Sequence, residues 1–111
     1  MTILSTHLLN SVNGKHANNV SIIIYQIKPN GNKEIFFESK TDEGGRLLKE
    51  FNLSDEDCKS EYEMICKTGD YFTEKKIVSE IIIKFKMTDP NKKYHIPIII
   101  SPNSYTAWWS D

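Results

Sequence analysis

The chain has 111 residues, enough for one globular domain with a single hydrophobic core but too few for a two-domain cleft enzyme. With 39% hydrophobic and 26% charged residues, its composition is that of a folded protein rather than a disordered one. Basic and acidic side chains nearly balance, 14 against 15, which gives no electrostatic basis for binding nucleic acid or anionic lipid. We therefore expect one domain, residues 1–111, without a nucleic-acid or membrane partner.

The apolar runs and the cysteines predict a cytoplasmic protein without a zinc site. The longest apolar runs are the isoleucines at 22–24 and 98–100, far below the roughly 20 residues that cross a bilayer. The first residues lack the basic and apolar regions of a signal peptide, so we expect a cytoplasmic location. Cys58 and Cys66 are predicted to be reduced, because one possible bridge does not make a disulfide scaffold. The three histidines are scattered without zinc-ligand spacing.

Short segments rich in Ile, Phe and Tyr, separated by turn residues, predict an all-β protein. In chain order the predicted strands are 20–28, 33–40, 46–51, 61–67, 80–87, 94–101 and 105–110. One short helix is predicted over residues 71–76, with Asp70 as its N-cap, and residues 54–57 are predicted to be a polar loop. Seven to eight strands at this spacing are typical of a two-sheet β-sandwich.

Four residues in or beside these strands have special positions. Pro97 interrupts a predicted strand, so we expect an edge position or a point where the ladder does not need its N–H. Trp108 and Trp109 are adjacent, so one of them must leave the core for an oligomer interface or a ligand channel. Arg46 is the only arginine among 14 basic residues and follows a turn. We interpret it as retained for its planar, bidentate donor geometry, with chance as the alternative.

Four blocks of sequence resemble the transthyretin-like 5-hydroxyisourate hydrolases, a family of the uric acid degradation pathway. Residues 4–10, L-S-T-H-L-L-N, are similar to the family's L-S-T-H-V-L-D, and residues 41–46, T-D-E-G-G-R, to its T-N-x-D-G-R turn. Residues 68–72, T-G-D-Y-F, resemble T-G-x-Y-F, and residues 94–102, Y-H-I-P-I-I-I-S-P, resemble Y-H-V-P-L-L-L-S-P. The four blocks occur in the family's order across essentially the whole chain.

The resemblance implies a transthyretin-like β-sandwich that forms a homotetramer, a dimer of dimers, with active sites in the channel between dimers and no cofactor. The family's catalytic residues correspond here to His7, Arg46 and His95. Opening a cyclic ureide requires an activated water and a donor for the developing oxyanion. An imidazole with a pKa of ~6.5 and a planar guanidinium suit these tasks. The alternative for each residue is an ordinary solvated surface position.

The C-terminal tail departs from the family pattern. Where the family ends in Y-R-G-S, this chain has Trp108, Trp109, Ser110 and Asp111. We expect Ser101, Trp108 and Asp111 to contact the substrate. Three functions stay open: 5-hydroxyisourate hydrolysis in a reshaped channel, a related reaction on another substrate, and binding of a small ligand without hydrolysis, as in the hormone-carrying transthyretins. The transthyretins lack the His and Arg pattern, so its presence here favours an enzyme.

Overall fold

The computed structural model describes residues 1–110, and in it two β-sheets pack face to face. The elements are β1 (Thr2–Asn10), β2 (Lys15–His16), β3 (Ser21–Ile27), β4 (Lys33–Lys40), β5 (Arg46–Phe51), α1 (Asp55–Lys59), β6 (Glu61–Cys66), α2 (Thr68–Tyr71), β7 (Ile81–Lys86), β8 (Lys93–Ser101) and β9 (Ser104–Ala107). The predicted all-β sandwich is confirmed. Residues 1–110 form nine strands rather than seven to eight, because β1 and the two-residue β2 precede the first predicted strand. They form two short helices rather than one.

One sheet, which we call the β1 sheet, has β1 at its centre. Strand β8 pairs with one side of β1 in parallel orientation, and β5 and β2 pair with its other side in antiparallel orientation. Strand β9 extends this sheet beyond β8. The second sheet is antiparallel throughout, with the order β4-β3-β6-β7. The first strand of the chain and its last two strands therefore lie side by side in the β1 sheet.

Strict alternation along the strands separates the core from the outer face. All nine residues of β1 alternate between buried and partly exposed, because successive side chains in a strand point to opposite faces. The two sheets contribute apolar side chains to a common core: Leu4, Leu8, Ile98 and Ile100 from the β1 sheet, and Ile22, Ile24, Tyr62 and Met64 from the other. Each such side chain contributes roughly 1.5–3 kcal/mol when fully buried. The alternate residues of β1 and β8, His7 and His95 among them, therefore lie on the outer face.

The prediction of a polar loop at residues 54–57 is wrong, because helix α1 begins there. Ser54 is the N-cap, and its hydroxyl accepts a hydrogen bond from the N–H of Asp57 at 3.1 Å. The Asp57 carboxylate accepts one from the N–H of Ser54 at 2.9 Å. This reciprocal capping box satisfies two N–H groups that a helix start leaves unpaired, so even a five-residue helix forms.

The second helix lies earlier in the chain than predicted. Helix α2 covers Thr68–Tyr71 and ends where the predicted helix over residues 71–76 would begin. Its N-cap is Lys67 rather than Asp70, and no side chain caps it. The next residue, Phe72, has an extended backbone, with φ −85° and ψ 139°, and its side chain is buried in the core. Burial of this ring turns the chain inward and ends the helix.

The two tryptophans follow the last strand rather than lying within it. Strand β9 ends at Ala107, but its register continues, because the N–H of Trp108 donates to the Pro97 carbonyl at 3.3 Å. By alternation Trp108 shares the outer face of the β1 sheet, and Trp109 lies on the opposite side, where its ring stacks on that of Tyr94. Both tryptophans are exposed, by 46% and 54%. Neither enters the core.

Pro97 lies in β8, an inner strand, so the first predicted alternative, an edge strand, is wrong. The N–H and C=O groups of one residue point to the same side of a strand. The Pro97 carbonyl accepts from the N–H of Trp108, so the side of Pro97 that lacks an N–H faces the residues that follow β9, which ends at Ala107. The second alternative describes the structure: the ladder with β1 does not need this donor.

Both cysteines are free thiols in the structure. Cys66 is buried at the end of β6, and burial raises its pKa to about 12. Cys58 lies in α1 and is partly exposed. Among residues 1–110, no helix is long and apolar enough to cross a membrane.

Candidate functional site

Four polar residues from four strands lie together on the outer face of the β1 sheet. We call His7, His16, Arg46 and His95 the histidine–arginine cluster. His7 on β1 lies directly opposite Arg46 on β5, and on its other side it lies opposite Pro97, two residues along β8 from His95. The structure thus brings together the three residues predicted to be catalytic and adds a third histidine to them.

A glycine turn fixes the position of Arg46 relative to His7. The Asp42 carboxylate accepts hydrogen bonds from the N–H groups of Gly44 and Arg46, both at 2.9 Å. Gly45 has φ +71°, and its carbonyl accepts from the N–H of Leu8 at 2.8 Å. A Cβ at Gly45 would collide with the Leu8 carbonyl oxygen. Only glycine allows the turn to lie this close to β1.

His7 is surrounded by positive or potentially positive groups. Its Nε2 lies 3.0 Å from Nδ1 of His16, and the two ring centroids are 5.0 Å apart. Partial burial lowers the pKa of His7 below its ordinary value, and the charges of Arg46, His16 and His95 lower it further, while a hydrogen bond to the Gly44 backbone opposes them. The lowered pKa favours the neutral imidazole, the form that accepts a proton.

His95 is oriented by a residue of the neighbouring strand. Its Nδ1 lies 2.8 Å from the hydroxyl oxygen of Ser5, which is its direct partner in the β1–β8 pairing. Its carbonyl accepts a hydrogen bond from the N–H of Ser110 at 2.8 Å, which fixes the backbone on the other side. Within residues 1–110 no hydrogen-bond partner occupies Nε2, so this nitrogen is left for a ligand.

Arg46 is exposed and forms no ion pair with a carboxylate of residues 1–110. Its guanidinium can therefore direct paired N–H donors to a bound oxygen. A neutral imidazole, an oriented second imidazole and a free guanidinium on one face are suited to activating water and stabilising an oxyanion. Residues 1–110 contain no group of three or more His, Cys, Asp or Glu side chains arranged to bind a metal ion.

Sequence reasoning missed two residues of the site, Ser5 and His16. Ser5 lies within a block that resembles the family, but nothing local shows that it contacts a residue 90 positions away. The pair Asn13-Gly14 is a common hairpin signal and could have placed His16 beside β1. In the structure Gly14 has φ +72°, and β2 pairs His16 with Leu9.

The three residues expected to contact substrate lie in different places. Ser101 is on the same face as the cluster but four residues beyond Pro97, roughly 13 Å along β8 at ~3.3 Å per residue. Its hydroxyl bonds to the carbonyl of Ser104 at 3.1 Å and to that residue's hydroxyl at 2.5 Å. Trp108 lies opposite Pro97, next to the cluster. Asp111 lies outside the described residues.

Apolar side chains adjoin the cluster, and one chain does not enclose it. Leu9 and Ile99 are partly exposed on this face, and Leu48 is 62% exposed. A pocket of about 470 Å³ does exist, but it is lined by residues such as Phe85, Lys86 and Trp109 and by no member of the cluster. We consider the cluster the better candidate, because its chemistry is absent from that pocket. An exposed apolar face around polar groups is typical of an interface between chains.

Comparison with known proteins agrees with this fold. The family model described as HIUase/Transthyretin family matches residues 4–109. A protein of Halalkalibacterium halodurans named 5-hydroxyisourate hydrolase is 28% identical over 112 residues, which cover 95% of this chain and 94% of that protein. A protein of the same name from Salmonella dublin is 33% identical over 109 residues, covering 96% of this chain and 79% of that protein.

Solved structures share the same architecture. Transthyretin from Sparus aurata matches with a TM-score of 0.80 at 21% identity, over 96% of this chain and 95% of that one. An (S)-allantoin synthase matches with a TM-score of 0.83 at 24% identity, over 99% of this chain. This chain spans 44% of the synthase, less than half its length. At these identities the likeness concerns the fold alone.

Proposed function

Because the chain belongs to the HIUase/transthyretin family, we propose that it is a 5-hydroxyisourate hydrolase, which converts 5-hydroxyisourate and water to 2-oxo-4-hydroxy-4-carboxy-5-ureidoimidazoline. The observation that supports this most directly is the cross-strand pair of His7 and Arg46, with His95 on the next strand of the same face. Relatives named 5-hydroxyisourate hydrolase, 28% and 33% identical over nearly the whole chain, support the same substrate.

Arg46 is proposed to bind and polarise the substrate. Its planar guanidinium matches the oxygens of a cyclic ureide with two parallel N–H donors. The same donors would stabilise the negative charge that develops on the carbonyl oxygen when water attacks. The turn at Gly45 holds the backbone of Arg46 opposite His7 on the adjacent strand, and this geometry supports the proposed roles.

The two histidines are proposed to move the protons. His7, whose pKa is lowered chiefly by partial burial and by Arg46, accepts a proton from the attacking water. His95, oriented by Ser5, delivers a proton from Nε2 to the ring nitrogen that leaves when the amide C–N bond breaks. His7 gains a proton and His95 loses one during the reaction. Both return to their starting states when His7 releases its proton to solvent and His95 takes one up.

We further propose that the working enzyme is a homotetramer, a dimer of dimers, with the site in a channel between chains. The cluster lies on an open sheet face, and a substrate there is shielded from water only if a second chain covers it. Leu48 and Trp108, both exposed beside the cluster, would be buried in such an assembly. Ser101 and Asp111 would then contact substrate in the assembled channel. Light scattering should give a tetramer, and a monomer at micromolar concentration would overturn this arrangement.

A coupled assay tests the reaction. Urate oxidase generates 5-hydroxyisourate, and the decay of its near-ultraviolet absorbance is followed with and without the protein. Single substitutions His7→Ala, Arg46→Ala and His95→Ala should each lower the rate by about 100-fold or more. Lys49→Ala is the matched control for Arg46→Ala, since Lys49 is also an exposed cation of β5, three residues further on.

Two outcomes would contradict the proposal. If the parent protein does not accelerate the decay beyond the spontaneous rate, the proposed reaction is rejected. If the three alanine variants lose the fold or the tetramer rather than the rate, these residues have a structural role. Circular dichroism and light scattering on each variant distinguish the two cases.

A further inference from the structure

The proposed reaction uses His7, Arg46 and His95, but not His16, the fourth member of the cluster. It lies on β2, opposite Leu9, and alternation places its side chain on the same face as His7 and that of Lys15 on the other. The Nε2 of His7 and the Nδ1 of His16 are 3.0 Å apart, and the rings are tilted by 36°. His16 is exposed, so its side chain contributes nothing to the core.

We propose that His16 is a positioning residue for His7, which fixes the His7 imidazole beside Arg46 in the resting site through the contact between Nδ1 of His16 and Nε2 of His7. When His7 acts as the base, the attacking water takes the place of this contact at Nε2. This inference rests on the proposed function, because it assigns His16 a task in the step that His7 performs. The exposed His16 ring also joins His7 to solvent, to which the proton taken from water must finally return.

The N···N contact restricts the protonation of the pair. A hydrogen bond between two imidazoles needs one donor and one acceptor nitrogen. When both rings are protonated all four nitrogens are donors, and the contact breaks. The contact therefore requires that at least one of the two rings is neutral, and the lowered pKa of His7 favours this condition.

The charges around His7 give the direction of the effect. Arg46 on β5, His16 on β2 and His95 on β8 face it, and all three lower its pKa in addition to partial burial, against a hydrogen bond to the Gly44 backbone. Removing the His16 ring deletes one of these charges and exposes His7 to more water. Both changes raise the pKa of His7, so His7 becomes protonated, and inactive as a base, at a higher pH.

The test compares His16→Ala with His16→Asn. The Asn amide reaches about as far as Nδ1 of histidine and can hydrogen-bond to His7, but it does not titrate. We expect His16→Ala to lower kcat about tenfold or more with little change in KM, since a displaced base acts mainly on the chemical step. His16→Asn should recover much of kcat. In both variants the acidic limb of the kcat/KM profile should move to higher pH.

Lys15→Gln is the matched control, because Lys15 is the neighbouring residue of β2 and its side chain lies on the other face. It should match the parent in rate and pH profile. NMR titration of the His7 ring provides a readout that needs no substrate, and its pKa should rise in both His16 variants. Circular dichroism verifies their fold, and the Asn variant serves alone if the Ala variant does not fold.

The results separate this inference from the proposed function. An unchanged His7 pKa together with a parental kcat in His16→Ala would overturn the role of His16, even if the protein hydrolyses 5-hydroxyisourate. A raised His7 pKa in a protein that does not act on 5-hydroxyisourate would retain the His7–His16 pair and reject the substrate.

Discussion

Replacing Gly45 with alanine should both destabilise the protein and separate Arg46 from His7. Gly45 has φ +71°, a region that L-residues rarely adopt, and a Cβ there would collide with the backbone oxygen of Leu8. The turn must then move away from β1. Since Arg46 directly follows this turn, its guanidinium moves with the backbone.

The structure gives the size of the effect. The left-handed backbone costs an alanine about 1–2 kcal/mol. Relieving the collision breaks two hydrogen bonds, from the N–H of Leu8 to the Gly45 carbonyl at 2.8 Å and from the N–H of Ala17 to the Leu8 carbonyl at 2.9 Å. Each is worth about 1 kcal/mol. The free energy of unfolding should fall by about 3–4 kcal/mol, and Tm by roughly 12–16 °C for a domain of this size.

Two other glycines isolate the contributions. Gly14 has φ +72° but no atom within 4 Å of an added Cβ, so Gly14→Ala measures the backbone cost alone, about 1–2 kcal/mol. Gly44 is not in the left-handed region, and its nearest neighbour is the Asp42 carboxylate at 3.4 Å, so Gly44→Ala should be near the parent. Urea unfolding at one fixed protein concentration gives all three values, which avoids a shift from changes in assembly.

The same variant tests the site. At a temperature where Gly45→Ala is fully folded, hydrolysis of 5-hydroxyisourate should fall about 100-fold, because a displacement of ~1 Å at a positioning group has that effect. If Gly45→Ala were no less stable than Gly14→Ala, the close approach of the turn to Leu8 would be refuted. If it were less stable but fully active, the turn would not position Arg46.

Three further outcomes are expected. Arg46→Lys should lower kcat/KM about 100-fold at an unchanged Tm, because an ammonium lacks the paired N–H donors of a guanidinium. Stopped-flow assays measure kcat/KM and calorimetry measures Tm. Parental activity in this variant would contradict the role of the paired donors. The pKa of His7 is below its ordinary value of 6.5, so the unfolded chain binds more protons and stability should fall as the pH drops through the range just below 6.5. His7→Asn should lose this pH dependence, so its free energy of unfolding should change less with pH just below 6.5. An equal slope in the parent protein and in His7→Asn would contradict the assignment to His7. Burial raises the pKa of Cys66 to about 12, so in the native protein Cys66 should stay unmodified by a thiol reagent at about pH 8. The partly exposed Cys58 should react. Mass spectrometry identifies the labelled residue, and early labelling of Cys66 would contradict this prediction.

Most strands could be predicted from the chain because their signals are local. Residues 20–28 were predicted as a strand and β3 covers Ser21–Ile27, and residues 80–87 match β7 over Ile81–Lys86. Apolar and turn residues alternate over a few positions, and that spacing suffices for a strand. The start of α1 has an equally local signal, because Ser54 and Asp57 form a capping box.

The position of α2 depended on packing. A helix over residues 71–76 satisfied local propensity, but Phe72 is buried in the core, and its burial requires an extended backbone at that point. Burial of one side chain outweighs the modest preference of a short segment for a helix.

The motifs of the chain named His7, Arg46 and His95 as candidates, and that these three act in catalysis stays a prediction. Their arrangement came from strand pairing. The parallel pairing of β1 with β8 joins Ser5 to His95, and the β1–β2 pairing adds His16. Neither neighbour follows from local spacing, because a cross-strand contact depends on which strands pair and in which register. Both choices are made by the burial of the opposite, apolar face of the same strands.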